Sequence, residues 1–128
     1  MLTAPRTQWL LRFVFGGYAG VLFALTHWPR LRIDSPIERP DLYAHITAFG
    51  LWTALLVAAG AFGPRLSRRN IVRSGLVAIV YAPLDEFSQA IPGLGRSVGL
   101  DDLAANIAGI LLALSICFLL RRVRGVTE

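Results

Sequence analysis

The sequence predicts an all-α membrane protein, built as a bundle of four transmembrane helices with both termini in the cytoplasm. Three observations lead to this fold class. Hydrophobic residues make up 55% of the chain and charged residues only 16%, with a mean hydropathy of +0.57. The apolar residues are gathered into long runs, and arginines separate these runs. A length of 128 residues suits one domain, so residues 1–128 are treated as a single transmembrane domain.

Four apolar segments can be read directly from the sequence. They cover about residues 9–28, 42–62, 71–91 and 103–120. Each approaches the roughly 20 residues that an α-helix needs to cross about 30 Å of hydrocarbon. The runs are continuously apolar, whereas strands of a membrane barrel would alternate between apolar and polar residues. The sequence therefore predicts helices.

The first segment has two interpretations. Arg6 and Arg12 followed by an apolar run resemble a secretory signal peptide. However, the run continues to Trp28 without a clear cleavage site, and it contains the helix-packing pattern formed by Gly16 and Gly20. These features favour a helix that is retained in the mature protein.

The arginines predict the orientation of the helices. All basic residues are arginines, and they divide unequally between the two sides of the predicted bundle. One side has nine, namely Arg6, Arg12, Arg65, Arg68, Arg69, Arg73, Arg121, Arg122 and Arg124. The other side has four, namely Arg30, Arg32, Arg39 and Arg96. Because arginine-rich loops stay in the cytoplasm, both termini and the middle loop are predicted to lie inside.

Several other classes of function are disfavoured. The net charge of +5 could suggest nucleic-acid binding, but the arginines lie between apolar spans and not on one soluble face. The single cysteine, Cys117, excludes an intrachain disulfide. Motifs of soluble enzymes, such as a P-loop or His-Glu-x-x-His, are absent from the sequence. We expect no cofactor and no metal, since nothing in the pattern fixes a coordination geometry.

Polar residues cluster where three predicted helices reach the outer side. As candidates for a ligand-binding site we select Asp41, His45, Asp85, Glu86, Gln89, Arg96, Asp102 and Asn106. Asp41 and His45 are four residues apart and share a helix face, as do Asp102 and Asn106. Acidic residues near the membrane are costly and are candidates for function by default. The sequence therefore predicts one polar pocket, with Arg96 as its contact for an anionic group.

Each of these groups also has a structural interpretation. Asp41 and Asp102 could be helix caps, and Asn106 could bridge two helices. Asp85 and Glu86 could pair with Arg96 and hold the outer loop in place. A catalytic interpretation remains open as well, in which Glu86 or Asp85 is a general base and His45 is its acid–base partner.

The order of these motifs resembles that of a known family. The chain contains Asp-x-x-x-His-x-x-x-Phe from Asp41, Asp-Glu-x-x-Gln from Asp85, Pro-Gly-x-Gly-Arg-Ser from Pro92, and Asp-x-x-x-Asn-x-x-Gly from Asp102. Together they resemble the VanZ-like family, over about residues 40–114. Members of this family often have Lys after the first Asp, whereas this chain has Leu42.

The resemblance implies a small multi-pass protein of the bacterial cytoplasmic (inner) membrane with a role in the cell envelope. The family is named for a member associated with teicoplanin resistance. The leading hypothesis is an outward pocket that engages an envelope lipid, in particular an anionic one, or a glycopeptide-type ligand. One alternative is a membrane-embedded hydrolase or transferase acting on a lipid-linked phosphate or sugar. The other is a structural or partner-binding membrane subunit. The bilayer is the expected surrounding in every case.

Overall fold

A computed structural model describes residues 4–29, 32, 34–95 and 98–127. Four α-helices account for most of this part of the chain, and it contains no strand. They are α1 (Ala4–Thr26), α2 (Pro40–Ala58), α3 (Arg68–Ser88) and α4 (Leu100–Val123). The four predicted segments correspond to these helices. The observed helices begin two to five residues earlier, because the polar residues of the first turns carry no apolar signal in the sequence.

Consecutive helices run in opposite directions, which gives the bundle two chemically different ends. At the acidic end, α1 and α3 finish while α2 and α4 begin; Asp41, Asp85, Glu86, Asp101 and Asp102 lie there. At the arginine-rich end, α1 and α3 begin while α2 and α4 finish; Arg65, Arg68, Arg69, Arg121, Arg122 and Arg124 lie there. Those of the selected polar residues that the structure describes therefore belong to one end of the bundle.

The closest helix contact is between α2 and α4. A Cβ atom placed on Gly109 would come within 2.1 Å of the carbonyl oxygen of Ile46, and one placed on Gly50 would lie 3.2 Å from the carbonyl oxygen of Gly109. Ala105, Gly109 and Ala113 are all on the buried face of α4. Small residues spaced by four thus let the two backbones meet, as is common between membrane helices.

The Gly16 and Gly20 pair of α1 is not used in this way. A Cβ at either position would meet nothing within 4 Å in the described part of the chain. Instead, α1 packs against α2 through the edge-to-face pair of Phe15 and Trp52. The hydroxyl of Tyr18 also donates a hydrogen bond of 2.7 Å to the carbonyl oxygen of Ala48.

Helix α3 buries several polar residues and exposes many of its large apolar ones. Its buried residues include Asn70, Ser74, Asp85 and Glu86. Its exposed face carries Val72, Leu76, Val77, Ile79, Val80, Leu84 and Phe87. Water would not stabilise such a surface, whereas the acyl chains of a bilayer would. The other helices likewise expose large apolar side chains, including Phe13, Val21, Leu111 and Leu119.

Three helices of the described chain are long and apolar enough to cross a membrane: residues Pro5–Thr26 of α1, all of α2 and all of α4. Helix α3 has 21 residues, but arginines at its start and acids near its end lower its mean hydropathy. Together with the exposed apolar surfaces, these helices identify a helical membrane protein.

At the arginine-rich end, side chains of α1 and α3 donate hydrogen bonds to backbone carbonyl oxygens at the end of α2 and in the α2–α3 connection. Arg12 donates to the carbonyl oxygens of Ala59 and Gly60 at 3.2 and 3.3 Å, which places a cation at the C-terminal end of α2. Asn70 is fully buried and its amide donates to the carbonyl oxygens of Val57 and Arg65 at 2.8 and 2.7 Å. These contacts fix the α2–α3 connection against the bundle.

Candidate functional site

Asp85 is the centre of a saturated hydrogen-bond cluster. Its carboxylate accepts from Thr26 and Tyr81 at 3.1 Å each and from the Gln89 amide at 3.0 Å. His27 lies next to it, with Nδ1 at 4.0 Å from the carboxylate and Nε2 at 2.7 Å from the Ser88 hydroxyl. Only 2% of Asp85 is exposed. These contacts tie the end of α1 to the end of α3, which is a structural use of the carboxylate.

A second cluster is formed by His45, Asn106, Asp102 and Glu86. The Asn106 side-chain oxygen lies 2.7 Å from His45 Nδ1. Because an amide oxygen only accepts, Nδ1 donates, and Nε2 faces the carboxylate of Asp102 at 3.7 Å. His45 of α2 therefore lies between Asn106 and Asp102 of α4 and connects the two helices.

Glu86 joins the second cluster from α3. One carboxylate oxygen accepts a hydrogen bond of 2.9 Å from the backbone N–H of Gly99, just before α4 begins. The carboxylate also interacts electrostatically with Asp102 and His45. Glu86 is 1% exposed, so it is buried among these groups and holds the α3–α4 connection in place.

Three buried polar atoms of the second cluster have no hydrogen-bond partner among the described residues. They are Oε2 of Glu86, Oδ1 of Asp102 and Nδ2 of Asn106. A buried polar atom without a partner costs about 1–3 kcal/mol, and proteins satisfy the great majority of such atoms. Two acceptors and one donor thus give the site unused capacity to bind a polar group.

Arg39 forms the rim of the site. Its guanidinium binds the carboxylate of Asp41 at 3.0 Å and that of Asp101 at 2.6 Å, which links the starts of α2 and α4. These hydrogen bonds, first to Asp41 and then to Asp101, raise the pKa of Arg39 above its ordinary value. The three side chains are exposed, so we assign this network to orientation of the rim and not to the stability of the fold.

A cavity of about 550 Å³ opens at the acidic end beside these clusters. We call it the polar pocket; its polar lining residues are Thr26, Arg32, Asp34, Asp41, His45 and Asp102. Leu22, Leu25, Ala44, Ala48 and Phe49 line its apolar part. Its volume lies in the range of small-ligand sites. Three acids and one arginine face the cavity, which disfavours an anionic occupant.

An apolar groove continues from the polar pocket along the surface between α1 and α2. It encloses about 430 Å³ and is lined by Tyr18, Val21, Leu22, Leu25, Tyr43, Ala44, Thr47 and Ala48. Leu22, Leu25, Ala44 and Ala48 line both spaces, so the two spaces are adjoining. An amphipathic molecule would find a polar and an apolar environment side by side.

The predicted site residues do not form a single group. His45, Glu86, Asp102 and Asn106 come together, whereas Gln89 binds Asp85 in the other cluster. Asp41 is at the rim, bound to Arg39. Arg96 lies outside the described residues, so its predicted contact with an anionic group stays a prediction.

The structure also bears on two of the structural interpretations, helix capping by the aspartates and helix bridging by Asn106. Neither Asp41 nor Asp102 is an N-cap; these positions are held by Arg39 and Gly99, neither of which makes a side-chain capping bond. Both aspartates do lie in the first turn of their helices, where the helix dipole favours a negative charge. Asn106 does connect two helices, through its bond to His45.

Sequence reasoning missed the contribution of α1. Thr26 and His27 bind the Asp85 cluster, and Thr26 also lines the polar pocket. The sequence did contain a signal for this contribution. His27 lies at the end of the first apolar segment and His45 near the start of the second, so both are expected at the same end of the bundle. Described residues include no group of three or more His, Cys, Asp or Glu side chains that could hold a metal ion.

Comparison with protein families gives one match, to the model described as VanZ/LLP1, over residues 10–121. Comparison with curated proteins and with solved structures gives no match. The matched region begins within α1 and ends within α4, so it includes both clusters and nearly the whole chain. The resemblance expected from the motifs of the last three helices is confirmed, and the chain belongs to the VanZ/LLP1 family.

Proposed function

We propose that this protein is a multi-pass membrane protein of the bacterial envelope that binds an amphipathic ligand at its acidic end. The head group would occupy the polar pocket and the apolar part would lie in the groove between α1 and α2. The observation that carries this proposal is the adjoining of the two spaces, which share four lining residues. We also propose that the protein lies in the cytoplasmic (inner) membrane, that all four helices cross it, and that the acidic end faces outward.

The charge of the polar pocket restricts the chemical class of head group that it can bind. Asp34, Asp41 and Asp102 face the cavity together with Arg32, while Arg39 is already bound to Asp41 and Asp101. Carboxylates accept hydrogen bonds and repel phosphates. We therefore favour a head group that carries hydroxyl or amino groups over the anionic one that Arg96 suggested. An envelope lipid or a glycopeptide-type ligand with such groups fits this description.

Within the second cluster, the residues have different roles. His45 and Asp102 line the pocket and would contact the ligand. Asn106 and Glu86 lie behind them and are positioning residues, because Asn106 holds the imidazole and Glu86 holds the α3–α4 connection. Binding of a donor group near Asp102 would satisfy its unpartnered oxygen.

The test is to fill the junction of pocket and groove. Ala44→Phe places a ring where the two spaces meet, while Ala104→Phe adds the same ring at an exposed position of α4 that lines neither space. Probes are phosphatidylethanolamine, a glucosyl diacylglycerol and teicoplanin, each titrated against the purified protein in nanodiscs. We expect the affinity for at least one probe to fall tenfold or more in Ala44→Phe and to be unchanged in Ala104→Phe. Equal affinities in both variants and the parent would contradict the proposal.

A second candidate function is acid–base catalysis on a lipid-linked phosphate or sugar. The observation in its favour is that Oε2 of Glu86 is buried without a partner, within electrostatic range of His45. Asp85 is a poorer general base, because three donors already occupy its carboxylate. Glu86→Gln keeps an acceptor for the Gly99 N–H but removes the base.

The Glu86→Gln variant separates three functions. A catalytic role predicts a folded protein that binds the probes but does not turn over a lipid-linked substrate. A binding role predicts a folded protein whose affinity for the probes changes by less than tenfold, since Glu86 does not line the pocket. A purely structural subunit predicts loss of thermal stability in detergent, with no probe bound by the parent protein.

A further inference from the structure

A second and larger groove runs between α2 and α4 and reaches the arginine-rich end. It encloses about 890 Å³. All of its lining residues come from α2, α4, the α2–α3 connection and the C-terminal segment. We call it the α2–α4 groove. The polar pocket shares none of its lining residues, and the apolar groove between α1 and α2 shares only Thr47, so the proposed function does not explain it.

The shape of the α2–α4 groove follows from the close contact of the two helices. Its floor includes Gly50, Ala54, Gly109 and Ala113, and small residues leave a furrow where two helices touch. Leu51, Leu112, Ile116 and Leu120 form exposed apolar walls. On α2 the lining runs from Ile46 to Ala58, about 18 Å at 1.5 Å per residue. This is close to one leaflet of a bilayer whose hydrocarbon core is about 30 Å thick.

The groove ends among positive charges. Arg65 and Arg124 line it at the arginine-rich end, from the α2–α3 connection and from the end of α4. Neither arginine has a carboxylate partner in the described ranges, and the only acid of the sequence beyond Asp102 is the terminal Glu128. Ser67, which caps the N-terminus of α3, lines the same end. The dipole of this 21-residue helix adds to the preference for an anion.

We propose that the α2–α4 groove is a binding site for an anionic phospholipid of the leaflet at the arginine-rich end. One acyl chain would lie along the apolar furrow, and the phosphate would be bound by Arg65 and Arg124 beside the start of α3. Charge complementarity identifies this occupant, because a second protein copy would place its own arginine-rich end against these charges if the helices ran parallel. Basic sites between transmembrane helices are a known setting for anionic head groups.

The experiment compares two lipids on the purified full-length protein. Retention of dioleoylphosphatidylglycerol and of dioleoylphosphatidylcholine is measured by native mass spectrometry after reconstitution in each lipid. The variant Arg65→Ala/Arg124→Ala removes both charges of the groove. The control Arg69→Ala/Arg73→Ala removes two exposed charges at the same end that do not line the groove, so the net charge of the two variants is equal. Ala54→Phe fills the furrow, and Val80→Phe adds the same ring to the exposed face of α3.

The expected result is that the parent protein retains phosphatidylglycerol in preference to phosphatidylcholine. Loss of both groove arginines should weaken that retention by about 25-fold, the product of about fivefold for each arginine near an anionic head group. Ala54→Phe should abolish it, while both control variants behave as the parent does. Circular dichroism of every variant confirms that helical content is kept.

Three outcomes would overturn the proposal. Equal retention of the two lipids by the parent would show that the groove does not select an anion. An equal loss in the Arg69→Ala/Arg73→Ala control would show diffuse attraction by the whole arginine-rich end. A dimer that disappears in Ala54→Phe would identify the groove as an interface between copies. None of these outcomes bears on Ala44→Phe, so this site and the polar pocket are tested separately.

Discussion

Asp85 and Glu86 are adjacent in the sequence, yet they belong to different clusters. Their side chains leave α3 in different directions, one towards the end of α1 and the other towards the start of α4. One carboxylate is saturated by three donors, and the other has an unpartnered oxygen. We therefore expect unequal consequences when each negative charge is removed.

Asp85→Asn should destabilise the protein by about 2–4 kcal/mol, because an amide has only one acceptor oxygen and its NH₂ group would face the donors from Thr26, Tyr81 or Gln89. Glu86→Gln should change stability by less than about 1 kcal/mol, since its carbonyl oxygen still accepts from Gly99. Thermal unfolding of both variants in the same detergent measures the difference. Equal loss in both would mean that the two carboxylates carry equivalent structural roles.

Sequence reasoning selected polar residues that, in the described part of the chain, divide between two hydrogen-bonded clusters and the rim of the pocket. It selected His45, Asp102 and Asn106 from their spacing, and His45 of α2 contacts both Asp102 and Asn106 of α4. It placed Gln89 and Glu86 in one pocket, and in the structure Gln89 bonds to Asp85. Helical spacing restricts side chains to a sector of about 100°, and packing against neighbouring helices decides between sectors.

At the scale of helices, the patterns of small residues in the sequence predicted only part of the helix packing. The pattern of Gly109 with its alanine neighbours lies at a helix contact, whereas the pattern of Gly16 and Gly20 does not. Both patterns have a spacing of four, so spacing alone could not distinguish them. The difference arises because α4 packs against both α2 and α3, while α1 contacts α2 through aromatic side chains.

Gly109→Ala should therefore be severely destabilising. The new methyl group would overlap the carbonyl oxygen of Ile46 at 2.1 Å and force α2 and α4 apart. Separation of the two backbones would cost about 3 kcal/mol or more, with a fall in the unfolding temperature in detergent. Gly20→Ala is the matched control, because its methyl group meets nothing within 4 Å and Ala is the better helix former by up to about 1 kcal/mol. Similar behaviour of the two variants would exclude a close α2–α4 contact.

For the molecule as a whole, the sequence predicted the helical class, the number of helices and the family, because apolar length and motif order are local features. It could not predict the grooves, which depend on gaps between helices. It also could not show that Asn70, Ser74, Asp85 and Glu86 are the buried polar residues of α3. Such a helix is stabilised by contacts with α2 and α4 as well as by lipid.

The orientation in the membrane is the prediction on which an envelope ligand for the polar pocket depends. Nine arginines belong to the arginine-rich side and four to the acidic side, so the arginine-rich end should face the cytoplasm. The alternating direction of the four helices then places the middle loop and both termini inside, and the acidic end outside. This holds only if α3 crosses the membrane in spite of its polar inner face.

Reporter fusions test this orientation and the crossing of α3 together. A fusion after Arg69 and one at the C-terminus should report a cytoplasmic position, and a fusion after Gly95 should report an external one. Replacing Arg68, Arg69 and Arg73 by alanine provides the control, because loss of these charges should weaken the bias of the middle loop. If the C-terminus were external while the fusion after Arg69 stayed cytoplasmic, α3 and α4 would not both cross. The acidic residues of α3 and α4 would then lack a common outer face, and an envelope ligand could not reach the polar pocket from outside.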